Sequence, residues 1–142
     1  MYRNATIACL LLGCSLGGGV FADGAVLDDH PLIGKWQWTR AANNCTELYD
    51  FRTDGTVPVV SGAERTENTY SVAESPDENG FYKTTMKTTK DYGGKDCVDD
   101  DADSTGQEST IYIFFDAAKT MQMMCFDASP ERCIGPLQRL QD

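Results

Sequence analysis

Gly34-Lys35-Trp36-Gln37-Trp38-Thr39 is the stretch that decides how this chain is read. Successive side chains of a β-strand point to opposite faces, so Trp36 and Trp38 share one face and Lys35 and Gln37 the other. The same alternation recurs outward along the chain. Cys45 to Arg52 sets Tyr49 and Phe51 on one face. Asp54-Gly55 then suits a tight hairpin in which both central residues take positive φ. Thr56 to Val60 continues that hairpin, with Pro58 marking an edge or a bulge. Asn68 to Ala73 is a further strand, and Asp77-Glu78-Asn79-Gly80 a second turn. Phe81 to Thr89 is Thr-rich, with Tyr82 and Met86 in register. Lys90 to Gln107 reads as a polar loop too acidic to pack. Glu108 to Phe115 is the most hydrophobic strand, with Ile111, Ile113 and Phe115 on one face and Tyr112 and Phe114 on the other. Thr120 to Phe126 and Cys133 to Leu140 complete about eight strands.

No window keeps a helical period over three turns, and no internal repeat is visible. Consecutive antiparallel strands shed their exposed edges by closing on themselves. The expected fold is therefore all-β, an antiparallel meander closing into a small barrel, with a two-sheet sandwich as the alternative. With about eight strands, the interior either fills with side chains or holds one small ligand.

Composition narrows the functional classes. The chain has 142 residues, the size of one domain, and 41% are hydrophobic, which excludes a disordered polyampholyte. Twelve Lys and Arg face 22 Asp and Glu, for a net charge of −10. A nucleic-acid binder needs basic surface to displace counterions from phosphate, so that class is excluded. Docking on anionic lipid through charge alone is excluded likewise.

Residues 1–22 read as an export signal. Arg3 supplies the positive charge, Ala5 to Leu16 an apolar run too short to span a bilayer, and Val20-Phe21-Ala22 a small-residue cleavage site. Leu11-Leu12-Gly13-Cys14 also resembles a bacterial lipobox, so lipidation at Cys14 is the alternative, and the only expected attachment to a membrane. Either way the expected location is periplasmic or secreted. Cleavage after Ala22 leaves a single domain, residues 23–142, with 11 bases against 22 acids, a net charge of −11.

That domain keeps Cys45, Cys97, Cys125 and Cys133. An even count in an exported domain reads as disulfides. Asp127 to Glu131 reads as a hairpin loop that sets Cys125 opposite Cys133, which leaves Cys45 for Cys97. A zinc site is the rival, but it lacks the close Cys pairs such sites usually show.

Leu32-Ile33-Gly34-Lys35-Trp36 resembles the Gly-x-Trp opening of lipocalins and of small bacterial lipocalin-like domains. Tyr49-Asp50-Phe51-Arg52-Thr53-Asp54-Gly55-Thr56 is similar to the second strand and Asp-Gly turn of those bacterial domains. The resemblance implies a calycin-type barrel in which a late Arg packs across the opening Trp and closes one end. Arg139 is the best-placed match, stacking on Trp36, and Arg132 a weaker one.

Candidates for chemistry are few. Asp99, Asp101 and Asp103 have the spacing that opens a calcium loop, but Ser104 stands where the EF-hand needs Gly and Thr110 where it needs Glu. The single histidine, His30, lies in a polar leader, a poor place to hold a base rigidly. Glu47 shares a strand face with Tyr49 and Phe51, where an acid can have a raised pKa. No phosphate loop, dinucleotide fingerprint or cofactor motif is present. No catalytic residue, cofactor or enzyme activity is expected.

Two functions remain. The first is a lipocalin-like carrier of a small apolar or amphipathic ligand, its cavity lined by Trp38, Tyr49, Phe51, Tyr70, Met86, Ile113, Phe115 and Met123. The second is an acidic inhibitor or immunity protein with a filled barrel, binding a basic hydrolase or toxin through its surface loops, Asp96 to Asp103 above all.

Overall fold

A computed structural model describes Val26 and residues 28–141. The candidate signal segment and Cys14 lie outside the described residues. Eight strands follow in chain order: β1 (Gly34–Arg40), β2 (Cys45–Phe51), β3 (Val59–Ser61), β4 (Glu64–Val72), β5 (Tyr82–Asp91), β6 (Glu108–Phe115), β7 (Met121–Cys125) and β8 (Cys133–Arg139). Each pairs antiparallel with the next, and β8 returns to β1, giving a closed barrel; no helix occurs among the described residues. The all-β meander and both expected disulfides are present: Cys45–Cys97 and Cys125–Cys133.

The inward faces meet in one core. Trp36, Phe51, Val57, Tyr70, Ile111, Ile113, Met124 and Leu137 are buried together, with Leu32 beneath them from the segment before β1. Trp38, Tyr49, Val59, Met86 and Phe115 pack on this cluster while partly exposed. Trp36, Phe51, Ile113 and Leu137 are 0–1% exposed, so side chains fill the closed half of the barrel.

One end is sealed around Trp36. Its indole Nε1–H donates to the Leu32 carbonyl at 2.8 Å, and the Arg139 guanidinium lies 4.2 Å over its ring. Arg139 also donates to the carbonyls of Ile33 (2.6 Å), Lys119 (2.9 Å) and Pro31. The pair stand opposite each other where β1 meets β8. Gly34 is required here: its φ is +124°, and a Cβ would meet Arg139 Nη1 at 2.8 Å.

Three local expectations are corrected. Met123 does not face the interior. Phe115 pairs with Gln122 and Ile113 with Met124, which turns Gln122 and Met124 inward and leaves Met123 outside, paired with Phe114. Alternation among three methionines offered no hint that a glutamine takes the core position; a register shift between Gln122 and Met124 accompanies it. We expect Met124→Ala to cost about 2–5 kcal/mol and Met123→Ala under about 1 kcal/mol, read by denaturant unfolding. Equal costs would contradict this assignment of faces.

At the Asp54-Gly55 turn only Gly55 takes positive φ, at 80°. Asp54 instead stays on the ordinary side and caps the turn, its Oδ1 accepting the Thr56 N–H (2.9 Å) and hydroxyl (2.6 Å). The loop after β5 also packs, despite its acidity. Cys97 is 2% exposed, and the loop turns satisfy themselves with their own aspartates, Asp96 Oδ1 accepting from Val98 and Asp100.

Candidate binding site at the open end

The end opposite Trp36 carries the β3–β4 turn and the long β5–β6 loop, residues 92–107. This loop folds back across the mouth and is held at several points. Cys97 is bonded to Cys45 at the start of β2, and its N–H donates to Ser61 Oγ at 3.1 Å. Its carbonyl accepts from Arg40 Nη1 (3.0 Å) and Asn43 Nδ2 (2.8 Å). The Lys95 carbonyl accepts the N–H groups of Ala63 and Glu64. Gly94 makes the approach possible: at φ +100°, a Cβ there would lie 2.4 Å from the Ala63 carbonyl oxygen.

Under the loop is a recess of about 250 Å³. Its lining is mostly polar, with Thr66 and Asn68 buried in it; Tyr49, Val59 and Met86 add an apolar part, and Glu64, Asp96 and Asp100 add carboxylates. Asn68 braces the wall, donating to the Val57 carbonyl and Thr66 Oγ1 while accepting from Thr88 Oγ1. The rim is electrostatically crowded. Burial pushes the Glu64 carboxyl above its usual range, and repulsion from Asp91, Asp96, Asp100 and Glu47 pushes it further. Asp91 is held low by the N–H groups of Ser104 and Gly93 that it accepts, so it stays charged nearby.

Glu47 sits below the rim. It accepts the Tyr49 hydroxyl at 2.6 Å and the Ser61 hydroxyl at 3.0 Å. Burial, then the adjacent Glu47, raises the Tyr49 phenol well above its ordinary value, so it stays a neutral donor. Glu47 is thereby a structural acceptor that fixes Tyr49 in the lining.

The expected cavity residues divide between three places. Tyr49 and Met86 line the recess, and Trp38 packs on the core from the same half of β1. Phe51, Tyr70, Ile113 and Phe115 lie deeper, in the filled half; Phe51 and Tyr70 meet edge to face at 5.0 Å. Met123 is on the outer wall. Asp99, Asp101 and Asp103 are exposed on the loop, and no group of three or more acidic, Cys or His side chains among the described residues converges to hold a metal. Arg132 does not close the barrel: it lies 3.6 Å from Asp127 in the β7–β8 loop, over the Phe126 ring. His30 is held rigidly after all, 5% exposed, with both ring nitrogens engaged.

Sequence reasoning missed two residues. Glu64 carries no strand signal in the sequence, because β4 begins with inward polar positions Glu64, Thr66 and Asn68 that show no hydrophobic period. Gln122 is 1% exposed, and neither atom of its amide has a hydrogen-bond partner. Comparison with known proteins finds no matching family model, no matching curated protein and no matching solved structure.

Proposed function

We propose that this chain is an exported, non-enzymatic binding protein, lipocalin-like in build, whose open end captures a cationic group from a basic protein partner. The observation that carries the reading is the recess under the β5–β6 loop. Glu64, Asp96 and Asp100 crowd it with carboxylates, Tyr49, Val59 and Met86 give its lining an apolar part, and a disulfide fixes its cover. A Lys or Arg side chain matches that arrangement, with an apolar stem and a charged head. A cation placed among Glu64, Asp96 and Asp100 offsets the burial and the mutual repulsion that raise Glu64. The net charge of −11 on residues 23–142 steers a basic hydrolase or toxin toward this face. The two disulfides fit an oxidising, exported compartment. Export by cleavage after Ala22, or anchoring by lipidation at Cys14, completes the proposal.

A second reading keeps the small apolar or amphipathic ligand inside the barrel. The apolar part of the recess, made by Tyr49, Val59 and Met86, favours it.

The two readings separate on salt and on charge reversal. With a lysozyme as the basic probe, affinity measured by calorimetry is expected to fall steeply between low and high salt. The triple variant Asp99→Lys, Asp100→Lys, Asp101→Lys is expected to bind it at least about tenfold more weakly, while uptake of an apolar fluorescent probe stays unchanged. Salt-insensitive lysozyme binding, or no binding at any salt, would sink the cationic-partner reading.

A further inference from the structure

The segment before β1 is a strap across the sealed end: Trp36 and Arg139 hold its carbonyls, and the imidazole of His30 ties it to the end of β4. His30 Nδ1 accepts the Leu32 N–H at 3.1 Å, and Nε2–H donates to the Ala73 carbonyl at 3.0 Å, just beyond β4. Its ring meets the Tyr82 ring of β5 edge-on, with centroids 5.1 Å apart. The His30 carbonyl accepts the Ile33 N–H, closing a turn that drives Leu32, 0% exposed, under Trp36. This set of bonds uses one N–H and one bare nitrogen, so only the neutral ring satisfies it.

We propose that the strap is an acid-released latch: a proton on His30 Nδ1 abolishes the Leu32 N–H bond, lets residues 28–33 lift, and uncovers Trp36 at the end opposite the recess. The proton comes from solvent, and no covalent bond changes. The charged and titratable groups around the ring are few. Asp29 on the strap favours the cation, Tyr82 of β5 meets the imidazole ring with its own, and Arg139 of β8 donates to the strap carbonyls of Pro31 and Ile33. Burial outweighs the Ala73 bond and Asp29, and holds His30 below the ordinary histidine value of about 6.5. The unfolded chain therefore binds this proton more readily than the folded one. The latch contributes its full stability above about pH 6.5, and loses it as pH falls through the folded-state value.

His30 is the only histidine, so its imidazole gives a single resonance to titrate. The expected result is a midpoint below 6.5, with the Trp36 indole N–H signal shifting at the same midpoint and the Ile113 methyl signals unmoved. His30→Asn, whose Oδ1 accepts the Leu32 N–H at any pH, is expected to abolish the Trp36 transition. The latch is overturned by a His30 midpoint at or above 6.5, by titration without change at Trp36, or by collapse of Ile113 together with Trp36. A Trp36 transition that persists in His30→Asn overturns it as well. Should that variant fail to fold, coincidence of the His30 and Trp36 midpoints in the wild type decides the matter.

Discussion

Trp36→Ala is expected to cost about 3–5 kcal/mol, the largest single-residue loss in this barrel. Three effects combine at that position. The indole is fully buried, so truncation leaves a cavity at the sealed end. The Leu32 carbonyl loses its donor, and a buried acceptor without a partner costs about 1–3 kcal/mol. The Arg139 guanidinium loses the ring face beneath it, a contact of about 0.5–2 kcal/mol that shares in the same total. Trp38, two residues on and partly exposed, is expected to cost clearly less when changed to Ala. Urea unfolding of the two variants checks the order. A loss for Trp36→Ala no greater than that for Trp38→Ala would mean that Trp36 does not seal the barrel.

Removing the Cys45–Cys97 bond is the second large effect. Its cysteines are 52 residues apart, and the chain-entropy relation assigns such a loop about 4 kcal/mol. Cys125 and Cys133 are only 8 apart and directly opposite in the β7–β8 ladder, for which the same relation gives about 2.5 kcal/mol. The paired variant Cys45→Ala, Cys97→Ala should therefore lose more stability than Cys125→Ala, Cys133→Ala. The two should also differ in function. The first frees the cover of the recess, so capture of a basic probe should weaken together with stability. The second leaves the recess intact, and capture should persist while the protein stays folded. Equal effects on capture would detach the recess from binding.

Much of the fold was legible because its rules are local. Trp36 and Trp38 alternate with polar neighbours, and the hydrophobic run from Ile111 to Phe115 has one neighbour on each side to pair with. Register across strands is a non-local property and was harder to read. Gln122 displaced a methionine from the interior because β6 dictates which residues of β7 face inward. Glu64 escaped notice for a related reason. Near the open mouth the inward positions are polar, so the alternation that identifies a strand vanishes there. The β5–β6 loop carries too few apolar side chains to signal packing in the sequence. A disulfide, one glycine and a set of aspartate-capped turns hold it down instead. The sequence around His30 reads as a solvated leader because two of its partners, Ala73 and Tyr82, are more than forty positions away.

The most direct test of the open-end site is amide chemical-shift mapping of the isotope-labelled protein titrated with lysozyme at low and then high salt. The result expected is a set of perturbations confined to Glu64, Asp96, Asp100 and the neighbouring rim, disappearing as salt is raised. Perturbations centred on Gln122, Ile113 and Met124, or on the outer wall at Phe114 and Met123, and indifferent to salt, would contradict it.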